Sequence, residues 1–397
     1  MTIEIVGGHF GNKGAHLMLV ATAEHYAELY PHVRLVVKNV GDYVQRARLG
    51  LHQKLWSERL GSTLSDLLGS AIPKRVRRVY GLVLDREVDA VLDISGFRYS
   101  DQWEPEKTER AARLARHWKR AGRKVVLMPQ AFGPFERRRT RDAFRVLLDH
   151  VDLAYARDSR SYEFARSVAE DHPGIRLAPD FTNLVPGRVR AGWTAGGDLA
   201  GVVPNIRMVD KTDADTANAY VAAMAACTEE LLETGHRVVF VLHQVDDDVL
   251  AKRVCGVLGR DLEIVRESDP VVLKGILGSC RAVVGSRYHA LISALAQGVP
   301  CLGMGWSHKY QALFEDYDSS DFLVSPRTPV ADLRERVRML VNGPDRDALV
   351  ERIRRAAAAQ QERALEMWRE VDALVMGTRA AQTGAIPESA VAARIGS

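Results

Sequence analysis

The stretch Ala282-Val283-Val284-Gly285-Ser286-Arg287-Tyr288-His289-Ala290, continuing through Gln297 to Val299-Pro300-Cys301-Leu302-Gly303, decides the fold class. An apolar run reads as a strand, Gly285-Ser286 ends it, and Ala290–Gln297 reads as an apolar helix leading into a second apolar strand. Short apolar strands alternating with helices are the sign of a parallel sheet covered by helices. The same alternation runs outward in both directions. Towards the amino terminus, Glu4–Gly7, Val33–Val40, Ala90–Ile94, Lys124–Pro129, Leu153–Ala156 and Ile175–Ala178 read as strands, with helical segments such as Thr108–Ala121 and Arg137–His150 between them. Around the starting stretch, Leu199–Val203, Arg237–His243 and Leu262–Val265 read as strands, and Ala217–Thr234, Asp247–Leu258 and Pro270–Ser279 as helices.

Between these two series, Val185 to Asp198 carries Pro186, Gly187, Gly192, Gly196 and Gly197 and reads as a linker. The expectation is an α/β protein of two Rossmann-like, doubly wound domains, residues 1–190 and 198–344, facing a central cleft. Open sheets of this kind bind ligands at the carboxyl ends of their strands. A long helix is predicted over 345–376, because Leu349, Ile353, Ala357, Ala364, Trp368, Val371 and Val375 recur at helical spacing; its length suits a return to the first domain. Residues 377–397 lack periodicity and read as a loose tail.

The chain of 397 residues suits two domains. A formal charge of +4, 46% hydrophobic and 27% charged residues describe a globular protein and give no ground for nucleic-acid binding. No secretory pattern precedes the first strand, and no apolar run approaches the roughly 20 residues of a membrane span. Cys227, Cys255, Cys280 and Cys301 form no CxxC pair and read as reduced, buried thiols of a cytoplasmic protein. The basic runs Lys74–Arg78 and Arg137–Arg141 are solvated helix faces or attract an anionic surface, so peripheral contact with the inner face of a membrane is compatible with the sequence.

The strand exits hold the chemistry. Arg287 offers a planar fork suited to carboxylate or phosphate, and His289 a proton near neutrality; Ser286 precedes them. The same pair would also serve as a salt bridge and a helix cap. Lys309 and His308 follow the strand Pro300–Gly303, and Arg207 follows Leu199–Val203. The first loop, Gly7-Gly8-His9-Phe10-Gly11-Asn12-Lys13-Gly14, is neither GxGxxG nor a Walker loop; His9, Asn12 and Lys13 are placed to bond a sugar, or the loop is only a tight turn. Asp93 and Asp101 flank another exit, where Asp93 stands in an apolar run, and Gln130 closes the next strand. No metal-ligand cluster appears.

Read in order, Gly11-Asn12-Lys13-Gly14, Asp93-Ile94-Ser95-Gly96, Gly133-Pro134, Arg157-Asp158-Ser159, Pro179-Asp180, and Gly285-Ser286-Arg287-Tyr288-His289-Ala290 with Gly298-Val299-Pro300 resemble the polysaccharide pyruvyl transferase family. The departure is Ala15, where the family often has an aspartate after Asn-x-Gly. The resemblance implies a GT-B-like fold with an acceptor side in the first domain and a donor side in the second. It implies transfer of pyruvate from phosphoenolpyruvate to a sugar or glycoconjugate as a ketal, with no metal and no cofactor besides that co-substrate. By similarity, Arg207, Arg287, His289 and Lys309 fall on the donor side. The residues themselves add Ser286 and His308 there, with His289 as the acid and His308 as its substitute; Asp93 or Asp101 would bind acceptor hydroxyls or act as a base, and His9, Asn12, Lys13 and Gln130 would face the acceptor. Two other readings share the architecture: a GT-B glycosyltransferase using a nucleotide sugar, with Glu315 on the ribose, and a two-domain protein that binds a small anion without turnover.

Overall fold

Fourteen short strands, most of them buried on both faces, build the framework of this computed structural model, which describes residues 1–38, 40–55, 61–189, 192–193, 197–305 and 308–377, except the side chains of 61–63. In chain order the strands are β1 (Thr2–Val6), β2 (Arg34–Val37), β3 (His52–Lys54), β4 (Leu82–Val83), β5 (Ala90–Asp93), β6 (Lys124–Gln130), β7 (Leu153–Ala156), β8 (Ile175–Leu177), β9 (Leu199–Val203), β10 (Arg237–Val241), β11 (Glu263–Val265), β12 (Ala282–Gly285), β13 (Cys301–Met304) and β14 (Leu323–Val324). They form an eight-stranded sheet of order β4-β3-β2-β1-β5-β6-β7-β8 and a six-stranded sheet of order β11-β10-β9-β12-β13-β14. Neighbouring strands pair in parallel, with Ile5 beside Leu92 in the first sheet and Gly285 beside Val203 in the second. Each sheet winds outward from its middle, so strand order reverses at β1/β5 and at β9/β12. Those reversals open a crevice beyond the carboxyl ends, the usual ligand position in such sheets.

The chain divides into two units. Among the described residues, the first contains Met1–Phe10, Ala15–Phe181 and those from Arg363 to Gly377; the second contains Gly11–Gly14 and Thr182–Glu362. The change at Phe181 and Thr182 comes ahead of the glycine-rich segment 185–198, of which 190–191 and 194–196 lie outside the described residues. The first core packs Val91, Val125, Leu127, Phe132, Phe144 and Trp118 around the larger sheet. The second packs Val202, Val239, Phe240, Val283, Leu291 and Leu302 around the smaller.

The helix Arg346–Met376 buries every residue of the face foreseen from its periodicity. Leu349, Ile353 and Ala357 join the second core. Within the first unit, Trp368 stacks on His25 with ring centroids 3.9 Å apart, and His25 Nε2 lies 2.9 Å from Asp372 Oδ2. Tyr155 donates to Glu370 Oε2 at 2.6 Å.

β3, β4 and β14 have no apolar run long enough to announce them. β3 reads His-Gln-Lys, yet Lys54 is buried. Its ammonium pairs with Glu4 Oε2 of β1 at 2.6 Å and with Asp85, which also accepts from Arg123 at 2.6 Å and faces His117 Nε2 at 3.0 Å. This chain of alternating charges ties β1, β3 and the start of β6 together beneath the sheet. Burial alone would raise the Asp85 pKa, but hydrogen bonds from Arg123, Lys54 and His117 outweigh it and hold the carboxyl well below its ordinary range. A carboxylate depressed in the native state stabilises the fold at pH above its unfolded pKa of about 3.9, and the contribution is lost as pH falls through the native value. Asp85→Asn should therefore cost about 3–5 kcal/mol at neutral pH, because buried Arg123 loses its countercharge and buried Lys54 loses one of its two. The gap between variant and parent, read by urea denaturation, should narrow as the pH is lowered below about 4; a pH-independent gap would remove Asp85 from the network.

Candidate active site

The turn after β12 is built by close approach. A Cβ on Gly285 would sit 2.9 Å from Val203 Cβ, so only glycine lets β12 run this near to β9. Ser286 is then fully enclosed. Its Oγ lies 2.8 Å from Tyr220 Oη, its N–H bonds Val203 O at 3.1 Å, and its carbonyl accepts from Asn205 Nδ2 at 2.7 Å and from Tyr310 Oη at 2.8 Å. Every polar atom of this residue is engaged, which fixes the direction in which the next residues leave. Arg287 follows as the cap of the helix Tyr288–Leu295, and no side chain caps that helix start. Its first N–H groups and the positive end of its dipole favour an anion.

Arg287 is aimed by Asp247. That carboxylate is fully buried at the start of the helix Asp247–Leu258; it accepts from Arg287 Nε at 3.0 Å and again from Nη2. Gln244 Oε1 accepts from the same Nη2 at 2.8 Å. Asp247 also receives the N–H of Ile206 and of Gln244, each at 3.0 Å. The arginine fork is therefore a rigid, half-compensated cation rather than a free one.

His289, in the first turn of its helix, lies against the loop Gly11–Gly14. A Cβ on Gly14 would fall 2.1 Å from His289 Nδ1, so this glycine makes room for the imidazole. Asn12 Oδ1 accepts from Gly14 N at 2.9 Å and shapes the loop. Lys13 Nζ donates to Ser268 O at 2.7 Å; burial lowers its pKa, while Glu267 and Asp269 oppose that shift. Lys309 holds its ammonium 5.7 Å from the Tyr288 ring and 5.4 Å from the Tyr310 ring. His308 begins the helix His308–Asp316 and is half-buried; Trp306 and Ser307, quoted from the sequence beside it, lie outside the described residues.

Arg207 begins the short helix Arg207–Asp210, half-exposed and paired with Asp210, its N–H held by Asn205 Oδ1 at 3.1 Å. Glu315 is exposed and bonds Gln311 at 2.9 Å. Four residues of the site gave no local signal in the sequence: Asn205, Tyr220, Asp247 and His243. His243 is buried beyond β10, and its Nδ1 has no hydrogen-bond partner among the described residues. Burial pushes its pKa well below the ordinary histidine value, and the charges of Arg287, His289 and Lys13 push the same way. Ser286, Arg287, His289 and Lys13 thus share one neighbourhood with a neutral imidazole.

In the first unit, the strand exits do something different. Asp93 is buried at the end of β5 with both oxygens occupied: Oδ1 accepts from Ser95 N at 2.9 Å and Ser95 Oγ at 2.5 Å, and Oδ2 from Tyr99 Oη at 2.5 Å. It pins the loop Ser95–Tyr99, which Gly7 admits by its positive φ and its lack of a side chain facing Ser95. Asp101 accepts from the N–H groups of Glu136 and Arg137, at 3.0 Å for the latter, just before the helix Arg138–Leu148. Gln130 is fully buried, and neither atom of its amide has a hydrogen-bond partner among the described residues. His9 is exposed. A cavity of about 510 Å³ opens beside Gly7 and Ser95, lined by Phe97, Arg98, Trp103, Glu106, Lys107 and Arg110. Lys107 Nζ stands 4.3 Å from the Trp103 ring centroid. None of the five acceptor-side residues proposed from the sequence lines this cavity.

All four cysteines are buried and unbridged, and burial pushes the Cys227 and Cys280 thiols up to about 12, which removes them as nucleophiles. Among the described residues no group of three or more histidine, cysteine, aspartate or glutamate side chains could hold a metal ion.

The sequence profile of the polysaccharide pyruvyl transferase family matches residues 12–308. No curated protein sequence matches the chain. Among solved structures, Anabaena Alr3699/HepE in complex with UDP-glucose is similar at TM-score 0.58 and 13% identity, over 96% of this chain and 99% of that one. S. aureus MnaA with UDP is similar at TM-score 0.59 and 10% identity, over 95% and 97%. The UDP-GlcNAc 2-epimerase of Methanocaldococcus jannaschii is similar at TM-score 0.54 and 11% identity, over 86% and 93%. Identities this low speak for the fold, which is the two-domain, Rossmann-like GT-B kind.

The electrostatics of the site make one expectation measurable. His243 should stay neutral as the pH falls from 8 through the ordinary histidine midpoint near 6.5. Its ring-proton NMR shift should be flat over that range, and a midpoint inside it would contradict the burial that sets it.

Proposed function

Since the chain belongs to the polysaccharide pyruvyl transferase family, we propose that it moves the pyruvyl group of phosphoenolpyruvate onto two hydroxyls of a sugar, closing a ketal and releasing phosphate. The observation that carries this reading is the gathering of Arg287, His289, Lys13 and neutral His243 around the uncapped start of the helix Tyr288–Leu295. A three-carbon substrate with a carboxylate and a phosphate needs cations of fixed direction. Arg287, held by Asp247 and Gln244, supplies a fork whose geometry is set before the substrate arrives. Lys309 and Arg207 belong to the same donor side by family likeness, and His308 is next to Lys309 in the chain.

The chemistry then follows from the donor. A proton delivered by His289 to the methylene carbon makes C2 electrophilic. One sugar hydroxyl attacks C2 and forms the first C–O bond. The C2–O bond to phosphate breaks as the second hydroxyl closes the ring, and the two hydroxyl protons restore the acid and leave with phosphate. His243, kept neutral by burial, adds no further positive charge to the imidazole that must give up its proton. Asp93 acts as the positioning residue of the acceptor loop, since both of its oxygens are spent on Ser95 and Tyr99. The acceptor lies in the cavity beside Ser95, where Phe97 and Trp103 offer faces to a sugar ring and Arg98 and Arg110 suit an anionic glycoconjugate. The reaction is cytoplasmic, a reading that the four unbridged cysteines support.

His289→Gln should lower kcat by roughly 10²–10⁴-fold, with phosphoenolpyruvate affinity little changed. Arg287→Ala should instead weaken donor binding, read by calorimetry. Retained turnover in the first variant moves the acid to His308; unchanged affinity in the second removes Arg287 from the donor site. Phosphoenolpyruvate at 100 times its Kd should stabilise the fold by about 2.7 kcal/mol in thermal shift. A response to uridine diphosphate in place of phosphoenolpyruvate would favour a nucleotide-sugar donor.

A further inference from the structure

Two consecutive helices of the first unit are inside out. In the helix Gly61–Ser70, Ser65 is buried and Gly69 packs so closely that a Cβ would meet Leu84 Cδ2 at 2.5 Å, while Leu64, Leu67 and Leu68 are exposed, Leu67 to 67%. In the helix Lys74–Val79, the one buried residue is Arg77, which pairs with Glu87 Oε2 at 2.6 Å. Val76, Val79 and the adjoining Tyr80 are exposed, the last two to 72% and 63%. A water-facing helix ordinarily buries its apolar stripe and exposes its charges. Here Ser65, Gly69 and Arg77 face the body of the unit, and the large apolar residues face out.

The charges of this segment complete the pattern. From Leu64 to Tyr80 the only acidic residue is Asp66, and its carboxylate is turned to the N–H groups of Asp85 and Arg86, at 2.6 and 2.9 Å. Lys74, Arg75 and Arg78 are exposed too, in the same helix as Val76 and Val79. We infer that this surface docks on an anionic membrane, with the leucines, valines and Tyr80 in the interfacial layer and the three cations on the headgroups. Leucine, valine and tyrosine flanked by lysine and arginine are the composition of helices that lie in a lipid interface. No described helix is long and apolar enough to cross a membrane, so the contact is peripheral. A second copy is a poor occupant, because two such faces would bring cations onto cations with no carboxylate between them.

The test is flotation of the full chain with vesicles of phosphatidylcholine alone and of an equal mixture with phosphatidylglycerol. Binding is expected to the anionic vesicles alone and should weaken as salt is raised. Leu67→Ser with Leu68→Ser should lower partitioning at least about tenfold. Lys74→Glu with Arg75→Glu should lower it at least about 30-fold, from roughly fivefold for each cation lost. Both pairs sit on the surface, and an unchanged thermal midpoint verifies their folding. No binding to anionic vesicles, or binding that both variants leave intact, overturns the proposal. So does a dimer by light scattering that the leucine pair dissolves, which would assign the face to a second copy. The measurement needs neither donor nor acceptor, so its failure would leave the reading of pyruvyl transfer standing.

Discussion

The enclosure of Ser286 is the constraint on which the site in the second unit depends. Parallel strands deliver the backbone to the sheet reversal at β9/β12, but they do not say which way the chain turns there. The answer comes from three side chains drawn from separate elements: Tyr220, Asn205 and Tyr310 all bond Ser286. Gly285 allows this by letting the strands approach within reach. With the turn fixed, Arg287 has one available direction, and Asp247 meets it there. Loosening any of these contacts would leave the guanidinium present but unaimed, which is a common way for a binding site to fail.

The electrostatic design follows from that rigidity. A cluster of cations strong enough to hold a multiply charged ligand would repel itself when empty. Asp247 neutralises part of Arg287, Glu267 and Asp269 temper Lys13, and His243 stays uncharged. What remains is a field of modest net charge with sharply placed donors, which favours orientation over mere attraction.

Much of the fold could be read from the chain because most strands are buried on both faces. Leu153–Ala156 and Leu199–Val203 form as the apolar runs suggested, residue for residue. β3 was not readable, since a polar triplet becomes a strand only through ion pairs with Glu4 and Asp85, 50 and 31 positions away. The site divides in the same way. Arg287 and His289 were visible as polar residues at a strand exit. Asp247, 40 positions from the arginine it aims, looked like any acidic helix start, and a lone histidine just past β10 carried no mark of its burial. Asp93 stood out in sequence as a carboxylate in an apolar run; only the positions of Ser95 and Tyr99 explain how that burial is tolerated.

The helix Arg346–Met376 gives its residues up to Glu362 to the second unit and those from Arg363 on to the first. Trp368, Asp372 and Glu370 complete contacts whose other halves, His25 and Tyr155, are made hundreds of residues earlier. The order of synthesis therefore runs against the order of assembly. On the ribosome, the first unit emerges without its stacking partner for His25 and must wait, part-built, while the whole second unit is translated. A nascent chain of this design spends that interval with an unsealed apolar seam, and chaperone engagement would be concentrated there rather than on the later-made unit.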